Sequence, residues 1–195
     1  MGSSARHRPR VRVASVISLV DEAATLAAAA VYAKSLPRSG AECALPDAAI
    51  KLYLRGDLGA GKTCFARGFL QALGVTRSVR SPTYSLLELY PATDFHASSG
   101  APPPPCEGVA HLDLYRMGDP EELEALGLAD LDRAGWVWLV EWPEQGRGRL
   151  PRADLDCELA SHGEGRSLSV RPGTELGDAW QRAASRQIKV HKSPE

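Results

Sequence analysis

The sequence predicts an α/β protein with a mainly parallel central sheet, extended by antiparallel strands. Three observations carry this. Short apolar runs alternate with helical patterns through the first half of the chain. Two apolar runs, "AIKLYLRG" and "WVWLVEW", are almost unbroken, as strands buried on both faces are. Two later runs, "ADLDCELA" and "RSLSVRP", follow each other closely and read as antiparallel neighbours.

The 195 residues suggest one domain with room for a sizeable core. With 44% apolar and 24% charged residues the composition is that of a globular protein, which excludes global disorder. The net charge is −1 and the isoelectric point near 6.5. A chain that binds RNA unaided is usually more basic, so any nucleic acid is expected to be held mostly by a partner. No apolar run approaches the ~18 residues of a membrane span. Cys43, Cys64, Cys106 and Cys157 are scattered, without zinc-ligand spacing, and read as reduced thiols of a cytoplasmic protein.

In order, residues 1–10 read as a disordered basic arm and 11–20, "VRVASVISLV", as the first strand. The apolar stretch is cut short by Asp21 and Glu22, which argues against a signal peptide. "DEAATLAAAAVYAKSL" has acidic residues first and Lys34 late, the arrangement a helix dipole favours. "RSGAECALPDA" is a loop, and "AIKLYLRG" the next strand. From Gly61 a helix takes over: Phe65, Phe69 and Leu73 share one face and Gly74 ends it.

"YSLLELY" reads as a strand. The segment 92–108, rich in proline, reads as a loop insertion. "GVAHLDLYR" is a strand with an acidic end, and "DPEELEALG" a helix capped by Asp119 with Pro120 at its first position. The chain closes on "WVWLVEW", the two antiparallel candidates, and an amphipathic helix over "TELGDAWQRAASRQI". A single domain over 11–190 is expected.

Chemistry concentrates at Gly56-Asp57-Leu58-Gly59-Ala60-Gly61-Lys62-Thr63, which fits G-x-x-x-x-G-K-[ST] in full. A strand enters it and a helix leaves at Lys62, the context the motif requires. Glycines let backbone N–H groups turn into one concave nest, and the helix N-terminus adds positive potential. Lys62 then serves the β and γ phosphates, and Thr63 a Mg²⁺ ion. Guanine-specific GTPases usually read their base with N-K-x-D, and this chain contains no asparagine, so an adenine nucleotide is the better expectation.

A carboxylate at the end of a neighbouring strand is needed to organise the metal. Asp113 in "AHLDLYR" and Glu141 in "WLVEWP" both qualify. "SPTYSLLELY" lies where a nucleotide-sensing loop is common, with Thr83 offering a hydroxyl and Pro82 stiffening the approach. Trp142 reads either as core packing or as part of the site. His111 reads as a packing or capping residue ahead of a base. Asp57 reads equally as a loop residue or as facing the γ-phosphate.

Together, "GDLGAGKT", "SPTY", "HLDLYR" with "DPEELEALG", and "LVEWPEQGRGRLP" resemble the TsaE (YjeE) family, from roughly residue 15 to 172. The resemblance implies a P-loop NTPase three-layer fold and an ATPase, weak alone. It implies support of the TsaB–TsaD pair in forming threonylcarbamoyladenosine at position 37 of tRNAs that read codons beginning with A. The cofactors it implies are ATP and Mg²⁺, with tRNA met only through the complex.

Carried onto this sequence, the resemblance makes Gly59, Ala60, Gly61, Lys62, Thr63 and Cys64 the phosphate cradle. Thr63 and Glu141 become the metal ligands. Asp113, Lys62 and Thr83 become the hydrolytic residues, with Trp142, Glu144 and Arg166 near the nucleotide. Cys64 stands where the family commonly has a second hydroxyl residue. A small-molecule kinase is the rival reading, with Arg147, Arg149 and Arg152 as a lid. A module that merely binds adenine nucleotide is another.

Overall fold

The computed structural model describes residues 15–38, 45–96, 105–119, 121–146, 148–163 and 165–190. The expected basic arm at 1–10, Cys43, Pro120 and Arg147 lie outside them. Seven strands form one sheet: β1 (Ser15–Leu19), β2 (Ile50–Arg55), β3 (Leu87–Pro91), β4 (Gly108–Asp113), β5 (Trp136–Glu141), β6 (Leu155–His162) and β7 (Gly165–Pro172). Their order across the sheet is β1-β7-β6-β2-β5-β4-β3. The inner strands β6, β2, β5 and β4 are mutually parallel. β3 closes one edge antiparallel, and β7 with β1 closes the other. This is the expected α/β fold.

Helices α1 (Glu22–Lys34), α2 (Lys62–Ala72) and α5 (Glu175–Val190) cover one face. Asp21 caps α1, its Oδ1 accepting from Ala24 N at 2.7 Å. Alanines 28, 29 and 33 are buried there, and α1 packs tightly on α2. Gly68 makes this possible, because a Cβ on it would lie 2.9 Å from the Leu26 backbone. Trp180 of α5 is fully buried against Tyr32 and Phe69, and its indole N–H donates to the Tyr32 carbonyl at 2.9 Å. Strand alternation sends Leu52 and Leu54 to this layer and Tyr53 to the other. On that second face Trp136, Trp138 and Val140 pack with Leu112, Met117 and Leu123 under two short helices, α3 (Glu122–Ala125) and α4 (Leu128–Leu131).

Three local readings change. The strand expected over "YSLLELY" begins only at Leu87, because Leu86 takes a left-handed φ of 60° and its N–H donates to the Pro82 carbonyl in a turn. The helix expected over "DPEELEALG" is a single turn. Its N-cap is Glu121 and not the expected Asp119, which instead closes the turn just ahead of the helix: Asp119 Oδ1 accepts from Glu121 N at 2.9 Å, while Glu122 Oε1 accepts from Asp119 N at 2.9 Å. Gly127, at φ 65°, then ends that turn and starts α4. Finally, the ends of the proline-rich segment are built into the fold: Phe95 is buried and bridges Val75, and a 3-10 turn spans Ala92–Asp94. Residues 97–104 lie outside the described set. Among the described residues no helix is long and apolar enough to cross a membrane.

Candidate functional site

The carboxyl ends of β2, β4 and β5 meet the N-terminus of α2, where parallel α/β sheets open a crevice for ligands. The turn between β2 and α2 is the glycine motif. Gly56 has φ 128° and a Cβ there would sit 2.0 Å from the Leu159 carbonyl oxygen, so only glycine fits. Gly59 and Gly61 also have positive φ, 81° and 106°. Ala60 is buried behind the loop, and Asp57 is exposed.

Lys62 is folded back onto its own loop. Its Nζ donates to the carbonyls of Gly56 at 2.6 Å and Asp57 at 2.7 Å, and lies 3.7 Å from the centre of the Trp142 ring. Burial lowers its pKa, partly offset by Glu141, Glu144, Asp113 and Asp57. Trp142 has a left-handed φ of 58°, a conformation that costs a bulky residue about 1–3 kcal/mol. Its N–H donates to Leu54 O at 3.1 Å and its ring lies 4.9 Å from that of Tyr115. With the cation over the ring, worth up to about 2 kcal/mol when desolvated, these contacts offset the strain.

Two carboxylates face the loop. Asp113 and Glu141 are register partners across β4 and β5, both nearly fully buried. Thr63 Oγ1 donates to Glu141 Oε2 at 2.9 Å. The other oxygen, Oε1, lies 3.0 Å from Nε2 of buried His111. Asp113 Oδ2 accepts from Thr83 Oγ1 at 2.9 Å and from Ser81 Oγ, and Oδ1 accepts from Tyr115 N at 3.0 Å. A cleft of about 560 Å³ opens between the phosphate loop and these carboxylates.

Gly59, Gly61, Lys62, Thr63, Cys64, Thr83, Asp113, Glu141 and Trp142 all line that cleft. Cys64 has its thiol pKa raised, by burial first and by Glu22 second. Arg166 on β7 lies behind the loop: a Cβ on Gly61 would come 3.2 Å from its Cδ, and its Nη1 donates to Thr25 Oγ1 at 3.3 Å. Glu144 is not part of the lining. It follows Pro143 in a 3-10 turn, and its carboxylate accepts from Arg55 Nη1 at 3.0 Å.

Sequence reasoning passed over Ser81, Tyr115 and Arg116, which also line the cleft. The signal for Ser81 is its spacing from Thr83, which sets two hydroxyls on one side of an extended segment; their oxygens are 2.6 Å apart. Of the supposed lid, Arg147 lies outside the described residues. Arg149 donates to Glu124 at 2.8 Å, and neither it nor Arg152 reaches the cleft lining.

The sequence model of one protein family matches residues 19–168; its description is "Threonylcarbamoyl adenosine biosynthesis protein TsaE". The chain belongs to the TsaE family. Among the family's members, the tRNA threonylcarbamoyladenosine biosynthesis protein TsaE of Haemophilus influenzae is 40% identical over 129 residues, 66% of this chain and 74% of that one. The TsaE protein of Bacillus subtilis is 39% identical over 113 residues, 58% of this chain and 63% of its own length. Of solved structures, the crystal structure of Bacillus subtilis YdiB superimposes with a TM-score of 0.64 at 24% identity, covering 91% of this chain and 97% of that one. That likeness supports the P-loop NTPase-like fold.

Proposed function

We propose that this TsaE-family chain is a cytoplasmic ATPase that binds ATP with Mg²⁺ and acts in forming threonylcarbamoyladenosine at position 37 of tRNA. Its relatives carry the pathway in their names. The observation that carries the ATPase reading is the facing of Lys62 and Thr63, at the N-terminus of α2, toward Glu141 and Asp113 across one cleft. We further propose that ATP turnover is slow in the chain alone and supports the TsaB–TsaD pair, which holds the tRNA.

In this reading the loop N–H groups and the α2 N-terminus bind the phosphates. Phosphate oxygens replace the Gly56 and Asp57 carbonyls as acceptors for Lys62, and the Trp142 ring keeps water from that ammonium. Thr63 and Glu141 present hard oxygen donors side by side, a set that suits Mg²⁺, which binds one or two protein carboxylates beside phosphate and water. When bound, the ion supplies charge neutralisation on the β and γ phosphates. Asp113, fixed by Ser81, Thr83 and the Tyr115 N–H, has one lone-pair site left, on Oδ1, to orient the attacking water.

The test is ATP hydrolysis by the chain alone and with TsaB–TsaD, for the native protein and Asp113→Ala, beside repeated rounds of tRNA modification. The reading expects stimulation by the partners and loss of both activities in Asp113→Ala. Hydrolysis indifferent to the partners, with modification intact in the variant, would refute it.

A further inference from the structure

His111 sits in the middle of β4, two residues before Asp113 and therefore on the same face of the sheet, toward α2. Its neighbours in register are Glu88 on β3 and Leu139 on β5. The Glu88 carboxylate is engaged elsewhere, by Arg77 and by the Tyr90 hydroxyl at 2.8 Å. The acceptor that His111 meets is Glu141, one strand over: Nε2 to Oε1 is 3.0 Å, with both side chains essentially out of solvent. A carboxylate offers only acceptors, which assigns the ring hydrogen to Nε2. Nδ1 then has no hydrogen-bond partner among the described residues, although it is buried.

A residue present only to fill space would not carry that unsatisfied nitrogen, since leucine or methionine fills the same volume without it. The bond through Nε2 is what distinguishes histidine here. Its effect falls on the two oxygens of Glu141. With Oε1 held by the imidazole, Oε2 is left facing Thr63 Oγ1 at 2.9 Å and the cleft.

We infer that His111 is a positioning residue: its Nε2–H fixes the Glu141 carboxylate so that Oε2 and the Thr63 hydroxyl stand together as a preset pair for a divalent cation. The inference rests on the Mg²⁺-nucleotide reading above. It assigns His111 no contact with nucleotide or water. Removing a group that holds a metal-binding side chain from behind typically costs about 10- to 100-fold in metal affinity or activity.

The experiment compares the native chain with His111→Met, which keeps bulk and removes the donor, and His111→Gln, which can return an N–H near the same place. Affinity for ADP and for a non-hydrolysable ATP analogue is measured by calorimetry in EDTA and across a MgCl₂ titration. His111→Met should need about 10- to 100-fold more Mg²⁺ for the same tightening, with its EDTA affinity unchanged. His111→Gln should stay close to the native chain.

A His111→Met protein that responds to Mg²⁺ as the native one does overturns the inference. So does one that loses affinity equally in EDTA, since that is the mark of a packing role. A second measurement needs no variant: the Nε2 ¹⁵N resonance of His111 in the ADP-bound native chain should shift when Mg²⁺ is added, and an unmoved resonance overturns the inference. A native chain whose nucleotide affinity ignores Mg²⁺ refutes the parent reading, and this inference falls with it.

Discussion

Lys62 Nζ lies 3.7 Å from the centre of the Trp142 ring while two loop carbonyls accept its hydrogens. The ammonium is thus held inside the site before any phosphate reaches it. Lys62→Ala should remove the charge the phosphates meet and reduce turnover at least about 10²-fold. Lys62→Arg should not rescue it, because a guanidinium fork is too broad for the pocket made by two carbonyls and an indole face. Single-turnover hydrolysis checks both, and an active Lys62→Arg would contradict this geometry.

Asp113 receives hydroxyl hydrogens from Ser81 and Thr83 and one backbone hydrogen from Tyr115. Asp113→Asn keeps the shape and loses the negative charge. Nucleotide affinity should change little while hydrolysis falls about 10²- to 10⁴-fold. Equal losses in binding and turnover would assign Asp113 to binding instead.

Gly56 and Gly59 should respond differently to alanine. At Gly56 the new Cβ meets the Leu159 carbonyl at 2.0 Å, at φ 128°; at Gly59 nothing lies within 4 Å, at φ 81°. Gly59→Ala should cost about 1–2 kcal/mol, the strain of a left-handed residue alone. Gly56→Ala should cost clearly more and displace the loop from β6. Urea unfolding of the two variants measures the difference, and equal destabilisation would contradict it.

The protein should lose stability in alkali. Burial pushes the Cys106 thiol up to about 12 from an ordinary 9.0, and also raises Cys157, Tyr32, Tyr53 and Tyr90. Each group stays protonated in the folded chain where the unfolded chain has ionised. The folded state therefore binds more protons, and stability falls as pH rises above about 9. A fully buried group contributes a slope of at most about 1.4 kcal/mol per pH unit. Lys62, whose pKa burial lowers, acts with the opposite sign and offsets part of the loss. Urea midpoints from pH 8 to 11 should fall; unchanged midpoints would show that the thiols and phenols ionise in the folded chain as readily as in the unfolded one.

Much of the site is legible in the sequence because its parts are local. The phosphate loop is eight consecutive residues, and its glycines, Lys62 and Thr63 announce a nest whatever surrounds them. Asp113 and Glu141 are visible as acidic ends of apolar strands, since a buried strand that finishes in a carboxylate does so at the sheet's carboxyl edge. Glu144 shows the limit. The resemblance sets it near the nucleotide, and its charge acts on Lys62; what the sequence does not show is that its carboxylate lies on Arg55, which Asp156 also holds at 2.8 Å. Nothing in the spacing reveals that one arginine will hold both carboxylates.

The alternation of strands and helices, the phosphate loop and the acidic strand ends are each written in neighbouring residues or in a short repeat. Who meets whom was settled when the sheet assembled. That assembly set Glu141 against Thr63 across 78 residues, placed His111 behind Glu141, and laid Lys62 on the face of Trp142. The reason is physical: periodicity and turn chemistry act within a few residues, whereas strand order and register are chosen by the burial of the whole sheet. That choice set β4 beside β5 with Asp113 and Glu141 in register, and so drew the candidate site together.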